Sequence, residues 1–158
     1  MSNKLVILGA GESGTGAALL GKAKGYDVFV SDGGTVRDQF RKELEKADIP
    51  FEEGQHSIER ILEASLIIKS PGIDPSIELV QQAIEKGIEV IDELEFAFRF
   101  TSAKIIAITG TNGKTSTTLL TYHLMKDTGF DVGLAGNVGK SMARQLLEGE
   151  KEYYVVEI

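Results

Sequence analysis

Short apolar runs alternate with longer amphipathic stretches along nearly the whole chain, and this alternation constrains the fold more than any other feature. The apolar runs predict buried strands, and the stretches between them, with apolar residues at helical spacing, predict helices. Strands that alternate regularly with helices form a parallel sheet that is covered by the helices. The sequence therefore predicts an α/β protein.

The alternation runs through two cycles, which predict two domains, residues 1–92 and 93–158. The first cycle has predicted strands at 4–8, 27–31, 66–69 and 88–91, a weaker strand at 50–53, and predicted helices at 15–24, 36–47 and 77–86. The second has predicted strands at 104–109, 131–135 and 153–158 and predicted helices at 114–126 and 139–147, after a helical link at 92–102. The last strand stops where a loop should begin, so we expect a fragment of a longer protein.

Composition argues against several other classes of protein. With 158 residues, of which 42% are hydrophobic, the chain can bury a core. No apolar run approaches the roughly 18 residues that span a bilayer, and the start lacks a signal-peptide layout. A net charge of -7 argues against a nucleic-acid surface, and the absence of cysteine excludes disulfides. We expect a cytoplasmic protein without membrane or nucleic-acid partners.

A glycine-rich loop at residues 9–14, G-A-G-E-S-G, directly follows the first predicted strand. In this context glycines allow a tight turn and let a diphosphate approach the start of the next helix. Asp32 ends the second predicted strand, where an NAD-dependent dehydrogenase binds ribose hydroxyls. The loop predicts a Rossmann-like front domain, but it suits NAD, FAD or a nucleotide sugar equally well.

A second glycine loop, T-G-T-N-G-K-T at residues 109–115, lies between a predicted strand and a predicted helix. In a P-loop the backbone amides surround phosphate oxygens, the lysine reaches the β- and γ-phosphates and the following hydroxyl joins the Mg²⁺ shell. Lys114 and Thr115 have these positions. The glycine that the general pattern requires further upstream is replaced by Ile108, so the loop is a shortened form. The second cycle therefore predicts the first, incomplete part of a P-loop-type ATPase domain.

The shortened loop resembles the ATP-binding signature of the Mur ligases, which add amino acids to the UDP-linked muramic acid precursor of bacterial peptidoglycan. Other segments are similar to that family and follow in the same order: G-A-G-E-S-G at 9–14, S-P-G-I at 70–73, D-E-L-E-F at 92–96, G-N-V-G at 136–139 and V-E at 156–157. The front domain most resembles the branch that adds D-glutamate. The resemblance spans the whole chain.

The resemblance implies ATP-dependent amide-bond formation through an acyl phosphate, with ATP and Mg²⁺ as cofactors. It implies UDP-N-acetylmuramoyl-L-alanine, D-glutamate and ATP as small-molecule substrates. Because further family residues would lie beyond Ile158, the 158 residues are not expected to catalyse ligation alone.

Site residues follow from the resemblance position by position. It implies that Lys114, Asn137 and Glu157 act in catalysis and that Thr115 and Glu157 hold Mg²⁺. It implies phosphate contacts from Gly110, Thr111, Asn112, Gly113, Lys114, Thr115 and Ser116. It implies contacts to the UDP-linked substrate from Ser13, Gly14, Asp32, Ser70, Pro71, Gly72 and Asn137. Gly33 and Gly34 stand where related enzymes can carry side chains that hold uridine, so the uracil contacts of this chain stay open.

Two other functions remain open on the sequence. An NAD(P)-dependent oxidoreductase would explain the front loop and Asp32 but not the Gly-Lys-Thr segment. A non-catalytic nucleotide-binding module would explain both loops without any reaction.

Overall fold

A computed structural model of the chain describes residues 3–158. Residues 1 and 2 lie outside the described residues. They belong to the expected front domain and to the amino-terminal segment that was expected to lack a signal-peptide layout. Strands and helices alternate throughout, which confirms the predicted α/β class. The elements are β1 (Lys4–Leu8), α1 (Glu12–Ala23), β2 (Asp27–Asp32), α2 (Asp38–Lys46), β3 (Phe51–Glu53), α3 (Ile58–Ile61), β4 (Leu66–Lys69), α4 (Glu78–Glu85), β5 (Glu89–Ile91), α5 (Glu93–Phe98), β6 (Lys104–Ile108), α6 (Lys114–Asp127), β7 (Val132–Gly136), α7 (Met142–Glu148) and β8 (Tyr153–Glu157).

The first sheet is parallel, with strand order β3-β2-β1-β4-β5. Strand β1 lies at its centre, and Leu5 pairs with Val28 on one side and with Leu66 on the other. Residues Leu5 to Leu8 are fully buried because helices cover both faces of the sheet. The chain moves from β3 at one edge across to β4 beyond β1, so a crevice opens at the carboxyl ends of β1, β2 and β4. Ligands of open α/β sheets bind at such a switch point.

The second sheet is also parallel, and its order is β6-β8-β7. The last strand in the chain, β8, is therefore the middle strand of the sheet. Glu157 pairs with Ile108 at the end of β6 and with Gly136 at the end of β7. The loops that follow β6 and β7 consequently emerge on either side of Glu157.

One hydrophobic core joins the two sheets. It contains Leu5 and Phe96 together with Ala135, Met142 and Tyr154, all buried. Helix α7 packs against α1 and α5, and this approach needs the small residues of α1. A Cβ atom on Gly16 would lie only 2.3 Å from Ser141 Oγ and 3.1 Å from Arg144 Cγ. The glycine thus allows α7 to lie directly on the helix that follows the front loop.

The predicted strands and helices are present, with shifted ends at α1 and α7. Helix α1 begins at Glu12, three residues earlier than expected, and α7 begins at Met142 rather than at 139. Gly139 has φ of +84°, which is incompatible with an α-helix, and the Ser141 hydroxyl instead caps α7 by accepting from Arg144 N. The short helix α3 was not predicted. Among residues 3–158 no helix combines the length and apolar character needed to cross a membrane.

Candidate nucleotide and phosphate site

The front glycine loop is a tight turn that is closed by backbone contacts. Gly9 has φ of +92°, and its amide donates to Ser31 O at 2.9 Å. A Cβ atom on Gly14 would stand 1.9 Å from Gly9 O, so only glycine lets α1 start against this turn. The first helical bond of α1 runs from Thr15 N to Gly11 O, and no side chain in the described part of the chain caps the helix. The amides of its first turn are therefore available to an anion.

Asp32 connects the front loop to the turn after β2. Its Oδ2 accepts from Ala10 N at 2.6 Å, and its Oδ1 accepts from Gly34 N at 2.8 Å. The carboxylate fixes both turns from the end of its strand. It also borders a cavity of about 300 Å³ between the two turns, lined by Ala10, Gly11, Glu12, Asp32, Thr35, Arg37 and Phe40. This cavity lies beside the uncapped start of α1.

The S-P-G-I segment forms the turn after β4, on the other side of β1. Ser70 N donates to Leu8 O at 2.9 Å, and Ser70 Oγ donates to Gly9 O at 3.4 Å. The ammonium group of Lys69 donates to Ile73 O at 2.7 Å and holds the turn closed. Pro71 and Gly72 remain exposed at its tip.

A smaller cavity, of about 50 Å³, lies where the front loops meet the loop after β7. Ser13 from α1 and Pro71 from the S-P-G-I turn line it together with Asn137, and Asp92, Glu93 and Gly136 complete most of its wall. The structure thus brings residues of the front glycine loop and of the G-N-V-G loop after β7 to one place.

The second glycine loop leads into α6 without a side-chain cap. Gly110 and Gly113 have φ of +153° and +73°, conformations that favour glycine. The first bond of α6 joins Thr117 N to Gly113 O at 3.0 Å, so the amides of residues 114–116 have no helical partner. Lys114 takes part in none of the ion pairs among residues 3–158. The loop therefore presents free amides and an uncommitted cation.

Glu157 ends the middle strand next to this loop. Its side chain is buried, with 6% of the residue exposed, and its Oε2 has no hydrogen-bond partner among residues 3–158. Its backbone ties the site together, since Glu157 O accepts from Asn137 N at 3.1 Å. Gly136, with φ of +94°, makes this contact possible, because a Cβ atom there would lie 2.1 Å from Glu157 O. A buried carboxylate oxygen without a donor is a position suited to a cation.

Sequence comparison covers both halves of the chain. The family described as "Mur ligase MurD-like, N-terminal domain" matches residues 3–92, and "Mur ligase middle domain" matches residues 108–158. The chain belongs to the Mur ligase family.

Curated relatives of this Mur ligase chain support the same assignment. It is 56% identical to a UDP-N-acetylmuramoylalanine–D-glutamate ligase of Cytophaga hutchinsonii, across 100% of this chain and 36% of that protein. It is 51% identical to the ligase of the same name in Bacteroides fragilis, across 98% of this chain and 35% of that protein. The chain thus spans about a third of the length of the curated relatives it matches.

A solved structure agrees in fold. The crystal structure of a murein peptide ligase from Psychrobacter arcticus aligns with a TM-score of 0.62 at 22% identity, covering 98% of this chain and 37% of that one. Neither the relatives nor the structure favours the oxidoreductase alternative. Both carboxylate oxygens of Asp32 already accept backbone amides, so the feature that suggested ribose binding has a role in holding the loops.

The sequence of this Mur ligase chain gave no sign of an ion pair that joins the front loop to α7. Glu12 Oε1 lies 3.0 Å from Arg144 Nε and 3.5 Å from Ser141 N. Arg144 Nη1 also pairs with Glu43 on α2. The residues are far apart in the chain, and only the packing of α7 on α1 brings them together.

Glu93, at the start of α5, makes a second contact to α7 that was not predicted from the sequence. It is buried, and its Oε1 accepts from Ala143 N at 2.6 Å. Burial raises the pKa of this carboxyl to about 7, opposed by the bond from Ala143 and reinforced by the negative charges of Asp92 and Glu12. The folded protein therefore binds this proton more tightly than the unfolded chain does.

A glutamine at position 93 should change how stability depends on pH. Because the pKa is raised on folding, the contribution of Glu93 to stability is complete below pH 4.5 and declines as pH rises through about 7. E93Q keeps an acceptor for Ala143 and cannot ionise, so we expect equal stability near pH 4.5 and a gain of about 1–3 kcal/mol at pH 8.

Urea unfolding at the two pH values measures this effect. E95Q on the same helix is the control, because Glu95 is exposed and its one ion pair within residues 3–158 is with Arg99. Parallel stability curves for E93Q and the unsubstituted chain would contradict the prediction.

Proposed function

We propose that the whole protein is a cytoplasmic, ATP-dependent ligase that adds D-glutamate to UDP-N-acetylmuramoyl-L-alanine in peptidoglycan precursor synthesis. One observation carries the proposal. The free amides after Gly113 follow β6, and Glu157 ends the neighbouring strand β8 with a carboxylate oxygen that has no hydrogen-bond partner among residues 3–158. The Asn137 loop links this edge to the front loops. This arrangement supports a phosphate site beside Glu157 and a nucleotide site at the front loops.

The chemistry needs such an arrangement, because a carboxylate is a poor electrophile. The terminal carboxylate oxygen of the precursor attacks the γ-phosphorus of ATP, the bond to the bridging oxygen breaks, and ADP leaves with the bonding pair. The amine of D-glutamate then attacks the acyl carbon, loses a proton and expels inorganic phosphate. Both steps bring anions together, so positioning and charge neutralisation supply most of the catalysis.

On the ATP side we assign the phosphates to the loop amides and to Lys114. Lys114 is the only cation in the segment 109–116, and it has no carboxylate partner within residues 3–158. The residues proposed to hold the phosphates are Gly110, Thr111, Asn112, Gly113, Lys114, Thr115 and Ser116.

On the front side we assign the UDP-linked precursor to the crevice around β1. The uncapped start of α1 suits the diphosphate, and the cavity beside Asp32 suits the nucleoside. Asn137 would contact the muramoyl portion, since it shares the smaller cavity with Ser13 and Pro71. The residues proposed for this substrate are Ser13, Gly14, Asp32, Ser70, Pro71, Gly72 and Asn137.

Mg²⁺ would be held by Glu157 and the Thr115 hydroxyl, where it would neutralise phosphate charge. The buried Oε2 of Glu157 fits this role. Residues 3–158 contain no group of three or more His, Cys, Asp or Glu side chains that could hold a metal ion.

We also propose the division into a front domain, residues 1–92, and an ATP-binding part, residues 93–158. The two share a core, so they should be docked in solution. Because the chain spans about a third of its relatives, we expect it to bind UDP without catalysing ligation.

Phosphate release by the whole protein tests the proposal. We expect release that requires ATP, Mg²⁺, UDP-N-acetylmuramoyl-L-alanine and D-glutamate together. L-glutamate is the matched control and should give at most a few per cent of that rate. Release that is independent of the UDP-linked precursor, or equal rates with both enantiomers, would overturn the assignment.

A further inference from the structure

Glu12 presents an electrostatic difficulty for the proposed front site. It is the first residue of α1 and borders the cavity beside Asp32. The start of this helix is where a diphosphate is expected to bind, and an uncompensated carboxylate there would repel it. Some feature of the fold must remove that repulsion.

Arg144 is positioned to do so. Its side chain is largely buried, with 16% exposed, and its Nε lies 3.0 Å from Glu12 Oε1. This contact is not aligned as a hydrogen bond, and Nη2 has no hydrogen-bond partner among residues 3–158. The guanidinium therefore acts on Glu12 through its charge.

The surroundings of Arg144 fix it in place. Nη1 pairs with Glu43, the guanidinium carbon lies 5.9 Å from the Phe40 ring centroid, and the stem packs on Gly16. Phe40 and Glu12 both line the front cavity. A residue of α7 thus lies close to two of the residues that line the front cavity.

We propose that Arg144 is a positioning residue for the front nucleotide site: it holds the Glu12 carboxylate towards α7 and offsets its charge, so that a nucleoside diphosphate can bind at the start of α1. The inference rests on the proposed front site and adds a residue to it. Because α7 follows the Asn137 loop, front-site affinity depends on docking of the second sheet.

Calorimetric titration of the 158-residue chain with UDP tests the inference. We expect R144M to bind UDP about tenfold more weakly than the unsubstituted chain at low salt, because Glu12 then repels the diphosphate. E12Q should bind as tightly as the unsubstituted chain or tighter. The double variant R144M/E12Q should recover affinity to within about twofold, since the Glu12 charge that repels the diphosphate is then absent, and a purely structural contact would show no such rescue.

Two further variants separate charge from shape. R144K keeps the cation and should bind within about threefold of the unsubstituted chain. K140M removes an exposed cation of the loop after β7, whose partner is Glu148, and should leave affinity unchanged. The defect of R144M should shrink in high salt, because screening weakens the repulsion.

The outcomes distinguish failure of the inference about Arg144 from failure of the proposed front site on which it rests. If the unsubstituted chain binds no UDP, the proposed front site fails and the inference fails with it. If it binds UDP but R144M is equally tight, or the double variant stays as weak as R144M, only the inference is overturned. Should R144M not fold, E12Q decides alone, and weaker binding by E12Q than by the unsubstituted chain would overturn it.

Discussion

Replacing Lys114 by methionine should lower the ligation rate of the whole protein about a thousandfold, because charge stabilisation at a phosphoryl-transfer site is worth this much. Methionine keeps the length of the side chain and removes its charge. The lysine begins α6 directly after Gly113 and has no ion-pair partner in residues 3–158, so its loss should leave the fold unaffected. Single-turnover measurement of phosphate release separates this chemical effect from substrate binding.

Lys126 provides the matched control for this substitution. It lies in the last turn of the same helix, is exposed, and stands over the Tyr122 ring. K126M changes the net charge equally but should retain the full rate. If K114M also retained more than about a tenth of the rate, Lys114 could not be the phosphate contact.

Replacing Gly14 by alanine should destabilise the 158-residue chain by about 3 kcal/mol or more, since the added methyl group would overlap backbone that cannot move away. The new Cβ would stand 1.9 Å from Gly9 O and 3.2 Å from Ser70 Oγ. Relief requires α1 to separate from β1, and both are packed in the core. Urea unfolding measures the loss directly.

Gly11, in the same loop, should behave differently. A Cβ atom there would meet no atom of residues 3–158 within 4 Å, and the φ of -80° at Gly11 suits any residue. G11A should cost less than about 1 kcal/mol, the usual difference between glycine and alanine at a helix N-cap. Similar losses for G11A and G14A would mean that the close approach of α1 to Gly9 does not determine the role of Gly14.

The order of strands and helices could be predicted from the sequence because each buried element has a clear apolar period. Strand β1 and helix α6 begin as expected, since each starts directly after a polar or glycine-rich segment. Helix α3 was missed because its four residues, Ile58–Ile61, are too few to show a period. The predicted start of α7, at residue 139, was wrong because Gly139 adopts a positive φ that the sequence does not reveal.

The candidate site was predictable only in part, because some of its contacts depend on tertiary packing and not on local sequence. Glycine loops that follow strands can be recognised in the sequence. Because the carboxyl ends of parallel strands lie at the same edge of a sheet, these loops are then expected to lie close together. The assignment of Ser13, Pro71 and Asn137 to one region came from resemblance, and their roles remain predictions. The contacts of Glu12 with Arg144 and of Glu93 with Ala143 depend on how α7 lies on α1 and α5, which no local pattern encodes.

The insertion of β8 between β6 and β7 has a consequence for biosynthesis. Within residues 3–158 neither outer strand pairs with the other, and each pairs with β8, which follows both of them in the chain. Until β8 has been synthesised, strands β6 and β7 lack the strand with which both of them pair, and their backbone groups have no partners in the sheet. The front sheet carries no such delay, because all its strands are complete by Ile91. A nascent chain should therefore be able to complete its front sheet before the edge that carries Glu157 can form.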